Sequence, residues 1–181
     1  MPKAEKVMTL RGLYRDVLRD AQGRVICDRG WHSNAIVTDC RRLLAGFMLG
    51  ENTTLGIQGI RLGAGNPAWD QPPGTPPSTP AQTQLVDANA HFVPSDALQL
   101  NYLIPDTDSE TANPTNRLQI FASLGPNVPP WPDANHPSST LREFGLVGQL
   151  AGEEILINYV THPAIPKDPA STLERTIWLV F

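Results

Sequence analysis

The sequence predicts a mainly β protein: an antiparallel β-sandwich with one amphipathic helix packed on it and two long proline-rich loops. Three observations lead there. Short runs with apolar residues at alternate positions recur along the chain, and a period of two puts them on one face of a strand. One segment, 35–49, shows instead the three-and-four spacing of a helix. Eighteen prolines in 181 residues, about twice the usual ~5%, collect in two clusters that no helix or central strand can contain.

The first element is the mixed run KVMTLRGLYRDVLR at 6–19, followed by the turn Asp20-Ala21-Gln22-Gly23 and by Arg24-Val25-Ile26-Cys27. It reads as a β-hairpin in which Gly23 supplies a positive φ. A helix over 13–19 competes, because Leu13, Val17 and Leu18 also fit a 3.6 period. The helix at 35–49, AIVTDCRRLLAGFML, lines up Ile36, Val37, Cys40, Leu43, Leu44, Phe47 and Met48 on one stripe. Ser33 or Asn34 is placed to cap its start and Gly50 to end it. Truncating Leu44 or Phe47 is then expected to damage the core. Strands are expected at 57–62, 85–93, 97–104, 117–124, 141–148, 154–160 and 176–181. The last closes on Trp178, Val180 and Phe181, too apolar to fray.

The whole of 1–181 reads as a single domain, with proline-rich insertions at about 66–84 and 105–140. The first cluster holds Pro67, Pro72, Pro73, Pro76, Pro77 and Pro80; the second lies in GPNVPPWPDANHP. Both have extended polyproline-II character. After Trp69 the first offers the core no large apolar side chain, so the fold is expected not to depend on it.

The net charge of −4 argues against a sequence-independent nucleic-acid binder. Two cysteines exclude a disulfide scaffold and a thiolate-built zinc site. No run approaches the ~20 apolar residues of a membrane span, and MPKAEKVMTLRGLYRD is not expected to be a secretory signal. His32, His91, His136 and His162 form no HxH or HExxH pattern, and Cys40 lies on the helix stripe as a small hydrophobe. GxSxG, GxGxxG and DxDxDG are all lacking, so no enzyme activity, metal or cofactor is expected. Aromatic residues and prolines stand out instead. Trp69, Pro72, Pro73, Pro76 and Pro77 in one loop, with Pro130 and Trp131 in the other, are the candidates for partner contact. The competing reading folds each tryptophan back onto its own domain.

The order NAIVTDCRRLLAG at 34–46, GIRLGAG at 59–65, LREFGLVG at 141–148 and a closing TIWLVF resembles tailed-bacteriophage structural proteins, namely tail, baseplate and tail-fibre-associated domains. Components of contractile injection systems are similar. The resemblance covers about half the chain and carries no catalytic residues. It implies a non-enzymatic virion subunit assembled in the host cytoplasm. Its partners would be other virion or tail structural proteins and further copies of itself in a symmetric assembly, without nucleic acid or membrane insertion. A small adaptor, collar or baseplate part fits better than a receptor-binding fibre, because no repetitive shaft follows. A capsid decoration (cement) protein and a β-sandwich carbohydrate- or peptide-binding module, with Trp69, Trp131 or Trp178 as a stacking platform, are the alternatives.

Overall fold

A computed structural model of the chain describes residues 10–181. In chain order the strands are β1 (Arg11–Arg19), β2 (Val25–Ile36), β3 (Leu55–Gly63), β4 (His91–Pro94), β5 (Gln99–Leu103), β6 (Glu110–Thr111), β7 (Arg117–Leu124), β8 (Thr140–Leu150), β9 (Glu153–Leu156), β10 (Asn158–Pro166) and β11 (Thr172–Val180). One helix, α1 (Thr38–Leu49), joins β2 to β3. The protein is mainly β with one helix. All strands belong to one antiparallel sheet, ordered β4-β3-β8-β10-β2-β1-β11-β7-β5-β6 with β9 on β8, and curled into a half-barrel. The two layers of the expected sandwich are thus two limbs of a single sheet.

The limbs meet at a narrow seam. Strands β10 and β2 pair only at Asn158–Ile36 and Tyr159–Ala35. Beyond it they diverge, and Arg29 spans the opening by donating to the Pro163 and Ala164 carbonyls, both at 2.8 Å. Tyr14, Ile120 and Ile177 from one limb and Ile60, Phe144 and Leu146 from the other form one buried cluster. The ring of Tyr14 meets Phe144 edge-on, with centroids 5.3 Å apart.

That core holds a charged cluster. Arg175, buried on β11, donates from Nε and Nη2 to the two oxygens of Asp16 at 2.7 and 2.8 Å. Its guanidinium lies 3.8 Å from the centroid of the Phe144 ring. Nη2 also lies 3.2 Å from His162 Nε2. Arginine offers only donors, so Nε2 accepts and Nδ1 donates to the Pro163 carbonyl at 2.9 Å. The imidazole is neutral: burial, reinforced by Arg175, pushes its pKa down to about 3.

The hairpin reading holds over Arg11–Cys27, with Gly23 at φ +78°; the part of it before Leu10 lies outside the described residues, and the helix over 13–19 does not form. Several boundaries differ for physical reasons. Ser33 and Asn34 do not cap α1, because they pair with Leu13 and Gly12 as part of β2. Val37 takes the N-cap without a side-chain bond, while Gly50 ends the helix at φ +77° as expected. The segment 85–90 carries no strand, since its backbone is held by side chains instead. The run 154–160 splits into β9 and β10, and β10 continues through Pro163 because its register with β8 is interrupted there. The expected insertion at 105–140 is divided by β7, leaving 125–139 as the irregular segment.

The helix stripe also needs correction. Cys40, Leu43 and Gly46 are the buried positions of α1. Phe47 is 44% exposed and Met48 91% exposed. Leu43→Ala is expected to cost about 2–5 kcal/mol, whereas Phe47→Ala should cost about 1 kcal/mol or less, as for exposed positions. Chemical denaturation of the two variants checks this; equal losses would place Phe47 in the core.

Candidate functional site

Pro72, Pro73, Pro76 and Pro77 are all exposed, yet their segment is tied to the sheet. The Thr161 N–H donates to Ser78 Oγ at 2.9 Å and the Thr161 hydroxyl to the Pro76 carbonyl. The Thr38 N–H, at the start of α1, donates to the Pro80 carbonyl at 2.8 Å. The fold therefore uses this loop through its backbone and one serine, not through apolar burial. Replacing 71–80 with a short Gly-Ser linker should cost roughly 2–4 kcal/mol, the loss of three such bonds. Urea unfolding at an unchanged midpoint would mean water replaces them fully.

Trp69 sits in a short 3-10 turn, Pro67–Asp70, opened by Asn66, whose side chain accepts the Ala68 N–H at 2.9 Å. Its half-buried ring covers Gly65, a residue at φ +58° where an added Cβ would stand 2.5 Å from the indole. Arg142 on β8 clamps the turn through both oxygens of Asp70, at 2.9 and 2.6 Å, and donates to the Ala64 carbonyl at 2.9 Å.

Trp131 is only 4% exposed. It belongs to the main core cluster and stacks on His136 with centroids 3.8 Å apart. Its surface is spent inside its own chain, so as an anchor for a partner it is corrected; neighbouring Pro130 remains exposed. His136 lies between two carboxylates. Nε2 is 2.9 Å from Asp87 Oδ2, and Nδ1 is 2.8 Å from Asp133 Oδ1. Asp87 also accepts the Ala64 N–H at 2.8 Å. The fully buried Glu143 of β8 accepts the N–H groups of Val86 and Asp87 at 3.0 and 2.7 Å and the Tyr159 hydroxyl at 2.5 Å. These contacts tie segment 83–90, loop 125–139 and the sheet together. Both ring nitrogens of His136 are taken up by Asp133 and Asp87, and the arrangement fixes loops.

The cysteines lie apart: Cys27 is exposed on β2, and Cys40 is buried with its thiol pushed up to about 11 by burial. Among the described residues no three His, Cys, Asp or Glu side chains converge on a point fit for a metal ion.

Exposed apolar residues gather at the end of α1, where Met48 and Leu49 are 91% and 82% exposed and Phe47 precedes them; Leu55, at the start of β3, is also exposed. Phe47 also lines an apolar cleft of about 190 Å³ at the mouth of the half-barrel, with Leu44, Ile57, Leu100, Leu118 and Phe181. Among the described residues no charged side chain lines it. The sequence stripe contained Met48 but assigned it to the core. Comparison with family models, with curated proteins and with solved structures returns no match to this chain. The chemistry of its surfaces must carry the functional reading.

Proposed function

We propose that this chain is a non-enzymatic structural subunit of a phage virion, a tail, baseplate or fibre-adaptor component that assembles through its exposed apolar end and its extended loop. One observation carries the assembly reading: Met48 and Leu49 stand almost wholly exposed at the end of α1, next in sequence to Phe47, which lines an apolar cleft. Large exposed apolar side chains gathered in this way favour a surface that meets another protein. The virion assignment rests on the resemblance of its sequence segments. Two of those segments are neighbours in space, since GIRLG of β3 pairs with FGLV of β8 at Gly59–Val147 and Arg61–Gly145, while TIWLVF belongs to β11 in the other limb. The interior titratable clusters bond to one another and to backbone, which favours a scaffold over a catalyst.

Light scattering on the purified full chain, with pull-down against tail, baseplate and capsid proteins, tests this reading. Self-association or capture of a tail or baseplate protein is expected. Changing Met48 and Leu49 together to serine should weaken that association while thermal stability stays within about 1 kcal/mol. A strict monomer that binds none of these proteins would overturn the proposal, and capture by capsid protein alone would replace it with a decoration role.

A further inference from the structure

The outer face of the β2–β1–β11–β7–β5 limb carries chemistry that the assembly reading does not use. Alternation turns Tyr14, Ile120 and Ile177 inward, so their strand neighbours face out. Cross-strand register places Ser33, Leu13, Trp178, Gln119 and Asn101 in one row. The adjacent row is Trp31, Arg15, Thr176, Phe121 and Gln99. Every one of these side chains is half-buried or exposed, and no described segment covers the face. Trp31 and Trp178 lie together, centroids 4.2 Å apart and tilted by 39°. Trp31 keeps 40% of its surface open. Trp178 is held in place by donating from Nε1 to Gln119 Oε1 at 2.9 Å.

We propose that this face binds an acidic oligosaccharide. Indole rings amid amides and hydroxyls match a sugar, which presents C–H groups on one face and hydroxyls around its rim. A protein partner would call for a dehydrated apolar centre, and here Thr176, Gln119 and Ser33 interrupt the aromatic positions. Next to Trp178 the face opens into a cleft of about 580 Å³, whose charged lining side chains are Arg11 and Arg117. Among the described residues no carboxylate lines this cleft, although the chain as a whole carries a net charge of −4. Arginine binds carboxylates through paired hydrogen bonds. The Arg117 bond to Asp106 is 3.2 Å long, and Asp106 is almost wholly exposed, so a ligand carboxylate displaces it at little cost. Ser33 and Asn34 also line a second cleft of about 570 Å³, bounded by Pro76, Pro77 and Thr161. Both clefts are lined by Ser33 and Asn34, and an extended chain of several sugars laid across these residues would reach from Arg117 to the proline segment.

The test titrates the full chain with oligogalacturonate, with the same oligomer fully methyl-esterified, and with polyglutamate, following calorimetry and tryptophan fluorescence. Oligogalacturonate is expected to bind and to change the fluorescence, the ester to bind more weakly, and polyglutamate more weakly still. Trp31→Ala and Arg117→Gln, both at the surface, should each weaken oligogalacturonate roughly ten-fold with the melting curve retained. The proposal is overturned if oligogalacturonate does not bind, if the ester binds as tightly, if polyglutamate matches it, or if neither substitution matters. None of these outcomes bears on self-association, which the Met48 and Leu49 change reads separately.

Discussion

Arg175→Met is expected to destabilise the protein by about 3–5 kcal/mol, because it leaves the Asp16 carboxylate buried without its cation. For a chain of this size that is a fall in Tm of roughly 6–20 °C. Pairing it with Asp16→Leu should recover most of the loss. Two buried charges are costly to desolvate, and apolar replacements of similar volume often do as well. The pair is also incompletely satisfied, since Arg175 Nη1 has no hydrogen-bond partner among the described residues. Urea unfolding of the single and double variants decides the matter. A single variant as stable as the parent would mean Asp16 reaches water.

The same cluster gives stability a pH dependence. In the unfolded chain His162 takes up a proton near its ordinary pKa of 6.5, but in the fold not until about 3. Its contribution is whole above pH 6.5 and is lost as pH falls towards 3, at up to about 1.4 kcal/mol per pH unit. Asp16 acts in the same direction at lower pH. Burial alone would raise its carboxyl, but the charge and hydrogen bonds of Arg175 outweigh that and hold it below the ordinary carboxylate value. His162→Gln should flatten the stability profile between pH 6.5 and 4; an unchanged slope would assign it to other groups.

What could be read beforehand divides along physical lines. The β1–β2 turn was legible because Gly23 and its neighbours settle their own conformation locally. The start of α1 was not. Ser33 and Asn34 have cap chemistry, but pairing with β1 outweighed it. Phe47 and Met48 keep helical period although both are exposed, and period alone does not say where a partner surface ends. Trp131 could not be told from an exposed anchor, because His136 and the core that cover it are assembled only in three dimensions. The polar anchors left a partial trace. Asp16 and Arg175 each sit at an inward position of an otherwise apolar alternation, whereas Glu143 lies in the unbroken buried run of β8, on the face opposite Phe144 and Leu146. A lone charge at such a position signals a buried partner, though not which one: Asp16 and Arg175 are 159 residues apart.

Glu143→Ala should cost about 3 kcal/mol or more. The carboxylate is fully buried and accepts from the Val86 and Asp87 N–H groups and the Tyr159 hydroxyl. Its removal strands three donors where water is scarce, each worth about 1–3 kcal/mol if it stays unpaired. Glu143→Gln fares little better. One carboxylate oxygen becomes an amide nitrogen, which then faces a backbone N–H, donor against donor. Tyr159→Phe leaves both backbone bonds in place and should cost only about 1–2 kcal/mol. The damage should also spread along a defined path. Asp87 touches both Glu143, through its N–H, and His136, through its side chain, and His136 supports Trp131. Hydrogen exchange in Glu143→Gln should therefore show faster exchange at Val86 and Asp87, and at His136, whose N–H bonds to Asp133. The β1–β11 ladder on the other limb should keep its relative protection. Uniform loss of protection across both limbs would mean Glu143 supports the whole core rather than anchoring these loops.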